Sequence, residues 1–199
     1  MRTKIMKTLA LAAVAAASLV ASAAHADTFS GPSIGVQGGW EENSVDNTKT
    51  ATGPTALDAK GDTGTLGIFA GYDYKLTPKV VVGAQAELNF PITAHFGDGV
   101  TTIDPKRSID LSLRTGYLVD AKTLAYVRAG YSNVRESTAI PSLATYVSGS
   151  QNGWLLGAGV ERAVTDHVTG RIEYRYTDLS EGQGKWDRHQ VLAGVAYHF

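Results

Sequence analysis

Cysteine is absent from all 199 residues. That excludes a disulfide scaffold and any thiolate metal site. Long apolar runs are missing as well. The only one, residues 9–20, is shorter than the ~20 residues a membrane-spanning helix needs. Neither sign of charge dominates: Lys and Arg number 18 and Asp and Glu 19, for a formal net charge of −1. Such a balance gives no support to a nucleic-acid partner. No His-Glu-x-x-His spacing occurs, and no glycine loop is placed to cradle a phosphate ahead of a helix. No metal or cofactor is therefore implied. Solenoid repeats, low-complexity tails and inter-domain linkers are also lacking.

What is present begins with an export signal. Arg2, Lys4 and Lys7 form a basic start, an Ala-rich apolar stretch follows, and Ala24-His25-Ala26 fits a small-x-small cleavage pattern. Together they predict a secretory signal peptide over residues 1–26, cut after Ala26, and one domain over 27–199. If the exported domain crosses a membrane it must do so as a closed barrel. Only closure satisfies every backbone group in lipid.

Eight segments alternate with period two: 33–42, 65–74, 80–90, 108–119, 124–134, 153–162, 168–177 and 191–199. Residues 80–90 are the cleanest, with Val80, Val82, Ala84, Ala86, Leu88 and Phe90 on one face and Gly83, Gln85, Glu87 and Asn89 on the other. The last segment places Val191, Ala193, Val195, Tyr197 and Phe199 on one face. Connections are short near 75–79, 120–123 and 163–167, and long and polar near 43–64, 91–107, 135–152 and 178–188. This asymmetry predicts an all-β, eight-stranded, antiparallel up-and-down transmembrane barrel with its long loops outside the cell. Strand lengths agree, since a tilted spanning strand needs ~9–11 residues. Trp40, Tyr72, Tyr74, Phe90, Tyr117, Tyr131, Trp154, Tyr174, Tyr176, Tyr197 and Phe199 fall on the apolar faces, as interfacial girdles require. Outer-membrane lipid is the first partner this predicts.

The opposite faces carry Asp73, Glu87, Asp110, Glu161 and Glu173 against Arg114, Arg128, Arg171 and Arg175, with glycine filling much of the rest. An eight-stranded interior is just wide enough for side chains to fill. Buried charges must pair or cost several kcal/mol each, and arginine forks suit carboxylates. The expectation is an ion-pair core that closes the barrel. A narrow, charge-lined porin is the alternative. A lipid-modifying hydrolase is a third reading, resting on His95, His167, His189 and His198 and on Asp187 near His189. No serine stands ready beside them, and spacing alone does not make a triad. The chain is read as a non-enzyme.

Several of these strands carry a resemblance. Residues 112–117 (SLRTGY), 126–130 (YVRAG), 157–161 (GAGVE) and above all 170–176 (GRIEYRY) are similar to strand motifs of small outer-membrane surface antigens of Gram-negative bacteria. These are the opacity-protein-like, porin-family barrels of the OmpA/OmpX type. The final 195–199 (VAYHF) resembles their C-terminal insertion signal. The resemblance implies eight strands, four surface loops, and Val195, Tyr197 and Phe199 as residues read by the outer-membrane barrel insertion machinery. It implies a structural, antigenic or adhesive role, with any host or surface ligand bound through the long loops.

Overall fold

The computed structural model describes residues 28–46, 49–50, 53–54, 58–92, 96–97, 102–140, 145–180 and 185–199. Ala24, Ala26 and the rest of the expected signal peptide lie outside the described residues, as do His95 and much of the expected loops. Eight long strands account for nearly all the rest. They are β1 Gly31–Asp46, β2 Asp58–Lys75, β3 Val80–Pro91, β4 Thr102–Asp120, β5 Thr123–Ile140, β6 Thr145–Ala163, β7 Val168–Asp178 and β8 Lys185–His198. Each strand pairs antiparallel with its neighbour in sequence, and β1 pairs with β8 from Ser33↔His198 to Asp46↔Lys185. The sheet is therefore a closed barrel with no free edge.

Alternation divides each strand between two solvents. Ile34, Val36, Leu66, Ile68, Leu113, Val127, Ile172 and Val195 point outward and are exposed. In an apolar solvent that exposure is what burial is in water. The aromatics form two girdles. Tyr72, Tyr74, Tyr117, Tyr197 and Phe199 ring the end with short turns, and Trp40, Phe90, Tyr131, Trp154 and Tyr174 ring the other.

The short turns are built by local side chains. Thr77 Oγ1 accepts the Val80 N–H at 3.0 Å, and Thr165 Oγ1 accepts the Val168 N–H at 3.0 Å. In the third turn, Asp120 Oδ1 accepts the Lys122 N–H at 2.7 Å, which holds this exposed carboxyl below the usual carboxylate range.

Strands run further than the alternation predicts. The expected loop over 135–152 contracts to 141–144, because β5 and β6 stay paired as far as Ile140↔Thr145. The expected loop over 43–64 narrows to 47–57, and that over 178–188 to 179–184. Beyond the girdle the outside of the barrel meets water, so Glu42, Ser44 and Asp46 follow Trp40 on the outward face. The apolar-polar contrast fades there while the backbone ladder continues.

Both ends of the lumen hold apolar clusters. At the short-turn end Phe29 packs with Val81, Leu118, Leu124 and Tyr126. At the loop end Val45, Val134, Leu179 and Trp186 pack together, and Trp186 Nε1 donates to Asn43 Oδ1 at 3.1 Å. Phe29 is only 1% exposed and lies edge-on to His198 at 6.4 Å. Replacing it with alanine, Phe29→Ala, is expected to cost about 3–5 kcal/mol in urea unfolding of the barrel refolded into lipid vesicles. A loss under about 1 kcal/mol contradicts its place in this cluster.

Candidate functional site

Between the two apolar clusters the lumen is ionic. All of Glu87, Asp110, Arg114, Arg128, Glu161, Arg171, Glu173 and Arg175 point inward and are buried. Period-two geometry from six strands, β2 to β7, brings these residues together, with Asp73. β1 and β8 add Gln37 and Gln190.

Arg175 is the centre. It is completely buried, and its guanidinium reaches three carboxylates. Nη1 donates to Glu87 Oε2 at 2.8 Å and to Asp110 Oδ2 at 3.3 Å, and Nη2 donates to Glu173 Oε1 at 2.7 Å. Arg128 bridges the same two glutamates from the other side, with Nη1 3.2 Å from Glu173 Oε2 and also in contact with Glu87 Oε1. Two guanidinium groups thus alternate with two carboxylates, the arrangement that repays desolvation best. Glycine makes room for it. A Cβ on Gly157 would stand 3.0 Å from Arg128 Cγ, and one on Gly194 would stand 3.2 Å from Arg171 Nε.

Arg171 is held differently. Its nearest polar partners are neutral amides, Gln37 Oε1 at 2.6 Å and Gln85 Oε1 at 2.9 Å, with Glu87 Oε1 at 3.9 Å. Its guanidinium also covers the Phe69 ring, 3.7 Å from the centroid. Toward the short-turn end Arg114 forms a fork with Asp73 and donates to Glu161 Oε2 at 2.7 Å. Toward the loop end Asp110 accepts from Asn89 at 2.8 Å and from Ser132 at 2.5 Å.

Alternation missed part of this lining. Arg188, at the edge of the expected loop 178–188, is buried 3.2 Å from Ser132 Oγ and 3.9 Å from Asp110 Oδ1. Two residues that alternation does place inward also join the lining: Tyr126 donates to Glu173 Oε2 at 2.7 Å, and Gln190 donates to Glu41 Oε2 at 2.8 Å. Glu136 is buried on the inward face of β5, beyond the expected end of that strand. Extending the inward parity past the girdle finds Arg188 and Glu136.

The histidines fall into separate environments. His198 Nε2 lies 3.2 Å from Glu161 Oε1 and 3.2 Å from Thr169 Oγ1, and that hydroxyl donates to Glu161 at 2.6 Å. Hydroxyl and carboxylate thus meet the same ring nitrogen. A relay needs them on opposite nitrogens, so this is a structural contact. His189 sits on the outer wall, with Nδ1 2.7 Å from Tyr174 Oη. Asp187, near it in sequence, instead accepts from Tyr176 at 2.5 Å and pairs with Lys185 at 2.6 Å. Burial opposes ionisation of Asp187, but the Lys185 ammonium and Tyr176 hydroxyl outweigh it and hold the carboxyl below its usual range. No cluster of three or more metal-ligating side chains occurs among the described residues. At the chain end, Val195, Tyr197 and Phe199 face outward, with the Tyr197 and Phe199 rings edge-on at 5.1 Å.

Comparison with known proteins agrees with this geometry. The 31 kDa outer-membrane immunogenic protein of Brucella melitensis is 27% identical over 89% of this chain and 88% of its own length. The 22 kDa outer membrane protein of Rhizobium leguminosarum is 29% identical over 66% of this chain and 64% of its own length. Among solved structures, Neisserial surface protein A superposes with a TM-score of 0.60 at 18% identity, covering 85% of this chain and 98% of that one. Ail, the attachment invasion locus protein of Yersinia pestis, superposes at 0.53 with 12% identity, over 85% and 99%. The family described as outer membrane protein beta-barrel domain matches residues 9–199, and this chain belongs to it, as an integral protein of the bacterial outer membrane.

Proposed function

We propose that the protein is a sealed, non-enzymatic barrel whose work is done at its outer end. There it presents four connections and the protruding strands beneath them as a structural, antigenic or adhesive surface. One observation carries this reading: the ion-pair core lies between two apolar clusters, Phe29 with its neighbours at one end and Trp186 with its neighbours at the other. An ion entering from either side meets dry side chains first, then arginines already paired. A hydrated ion gains nothing there to replace its shell.

The names of similar proteins support a surface role. The Brucella relatives are called outer-membrane immunogenic proteins, and Ail has been solved in complex with the heparin analogue sucrose octasulfate. For this chain, a host or surface ligand would be met by the loop end. Residues 1–26 act as the signal peptide, cut after Ala26, and 27–199 as the barrel domain. Val195, Tyr197 and Phe199 serve as the signal read by the barrel insertion machinery. The support for that is their exposed, alternating placement on the strand that closes the seam.

Planar-bilayer recording of the folded, heat-modifiable protein is expected to show no steady channel. Steady, charge-selective openings that change in Arg128→Ala would replace the sealed reading with the narrow porin. Arg175→Met leaves Glu87, Glu173 and Asp110 with one fewer partner each. It is expected to cost about 3–5 kcal/mol in urea unfolding, and an unchanged midpoint removes Arg175 from the centre of the seal. Protease shaving of intact cells is expected to cut within 47–57 or 92–101 while the barrel fragment stays in the membrane. Complete resistance there, with cutting at the turns 76–79 or 164–167 instead, reverses the orientation.

A further inference from the structure

Above the outer girdle the barrel wall is unevenly charged. The outward residues of β4, β5 and β6 stand in level rungs. Leu111, Tyr131 and Trp154 make the last apolar rung. Ile109, Asn133 and Asn152 come next, and Asn133 Nδ2 donates to Asn152 Oδ1 at 2.6 Å. The third rung is Arg107, Arg135 and Ser150, with the two arginines directly opposite each other. Both are exposed, and neither forms an ion pair among the described residues. No carboxylate occupies an outward position on these rungs within β4, β5 and β6; the first one met is Asp178 on β7, opposite Trp154. Around the barrel, two residues above Trp40, Glu42 stands opposite Asp62, and two residues higher Ser44 stands opposite the exposed Lys60.

Like charges directly opposite on paired strands repel. Two arginines kept there with no acid call for an anion from outside the chain. Guanidinium forks grip phosphate oxygens in pairs. The site also has the right height. Four residues separate Tyr131 from Arg135, roughly 10 Å along the membrane normal for a tilted strand, which reaches the headgroup zone. Beside the charges is the Ser150 hydroxyl, and below them are the Asn133 and Asn152 amides and the Tyr131 and Trp154 rings. A simple phospholipid uses only the charges; a sugar headgroup uses the amides, the hydroxyl and a ring face as well.

We propose that Arg107 and Arg135, with Asn133, Asn152 and Ser150, bind the phosphorylated sugar headgroup of an outer-leaflet glycolipid. The site rests on the membrane orientation given under the proposed function, but not on the seal or on the loops. It makes this wall of the barrel a glycolipid contact, in contrast to the β1–β2 wall, where Lys60 stands next to the Glu42–Asp62 pair.

The test compares wild type with the Arg107→Gln/Arg135→Gln variant in nanodiscs. These contain phosphatidylcholine with equal small fractions of diphosphoryl lipid A and phosphatidylglycerol. Lipid retained after mild detergent extraction is identified by native mass spectrometry, and folding is checked by heat-modifiable gel migration. Wild type is expected to retain lipid A over phosphatidylglycerol by about ten-fold or more, the scale of one or two charge-assisted hydrogen bonds. The double variant should fold and lose that preference, while Glu42→Gln/Asp62→Asn keeps it. Equal retention of the two lipids by wild type, or a preference that survives the arginine changes, overturns the site. Displacement of the retained lipid A by inorganic phosphate also overturns it, because the arginines then hold a free anion. Wild type that fails to enter the nanodisc at all contradicts the membrane reading, a result distinct from folded protein without lipid preference.

Discussion

The seam between β1 and β8 governs everything else in this molecule. From Ser33↔His198 to Asp46↔Lys185 the first and last strands share one hydrogen-bond ladder. Without it, two rows of backbone N–H and C=O groups would face hydrocarbon, each at a cost of several kcal/mol. With it, the sheet has no edge and every strand has an inside and an outside. Alternation then becomes compulsory. Ile172 and Tyr174 face lipid because Arg171, Glu173 and Arg175 face the lumen.

Closure at eight strands leaves an interior filled by side chains. The chain places charge there, which is costly unless it is repaid by close pairing. Repayment is cooperative: Arg175 touches Glu87, Glu173 and Asp110, and Arg128 shares two of those three carboxylates. Such a network holds together as a unit, because removing one cation strands several acids. Arginine suits this role better than lysine, since one planar fork reaches two carboxylates at once. Apolar clusters lie at both ends of the network. On the proposed sealed reading, any specific recognition falls to the outer surface. There the wall differs from side to side, with Arg107 opposite Arg135 and Glu42 opposite Asp62.

The eight strands, their inward and outward faces, the girdles and the nine inward charges picked out by alternation could be read from residue order alone. Between the girdles a strand meets lipid on one side and a polar core on the other, so Val80 to Phe90 shows its parity without ambiguity. Above the girdle that contrast disappears. Arg188 and Trp186 are buried and Lys185 is exposed, yet all three lie in a stretch whose composition reads as loop. Phe29 was equally hidden: a single aromatic ahead of the first strand carries no period, and only the closed sheet brings it against Val81, Leu118, Leu124 and Tyr126.

Sequence by itself therefore determined the fold class and the sign of the interior, because a period of two needs only the order of residues. Tertiary structure decided which acid meets which base. Arg175 and Glu87 are 88 residues apart in the chain, and their 2.8 Å contact follows from the curvature that brings β3 and β7 to face each other across the lumen. It decided the two apolar end clusters and the extended hairpins for the same reason. Partners on opposite walls become neighbours only when the sheet closes, and no local pattern records that distance.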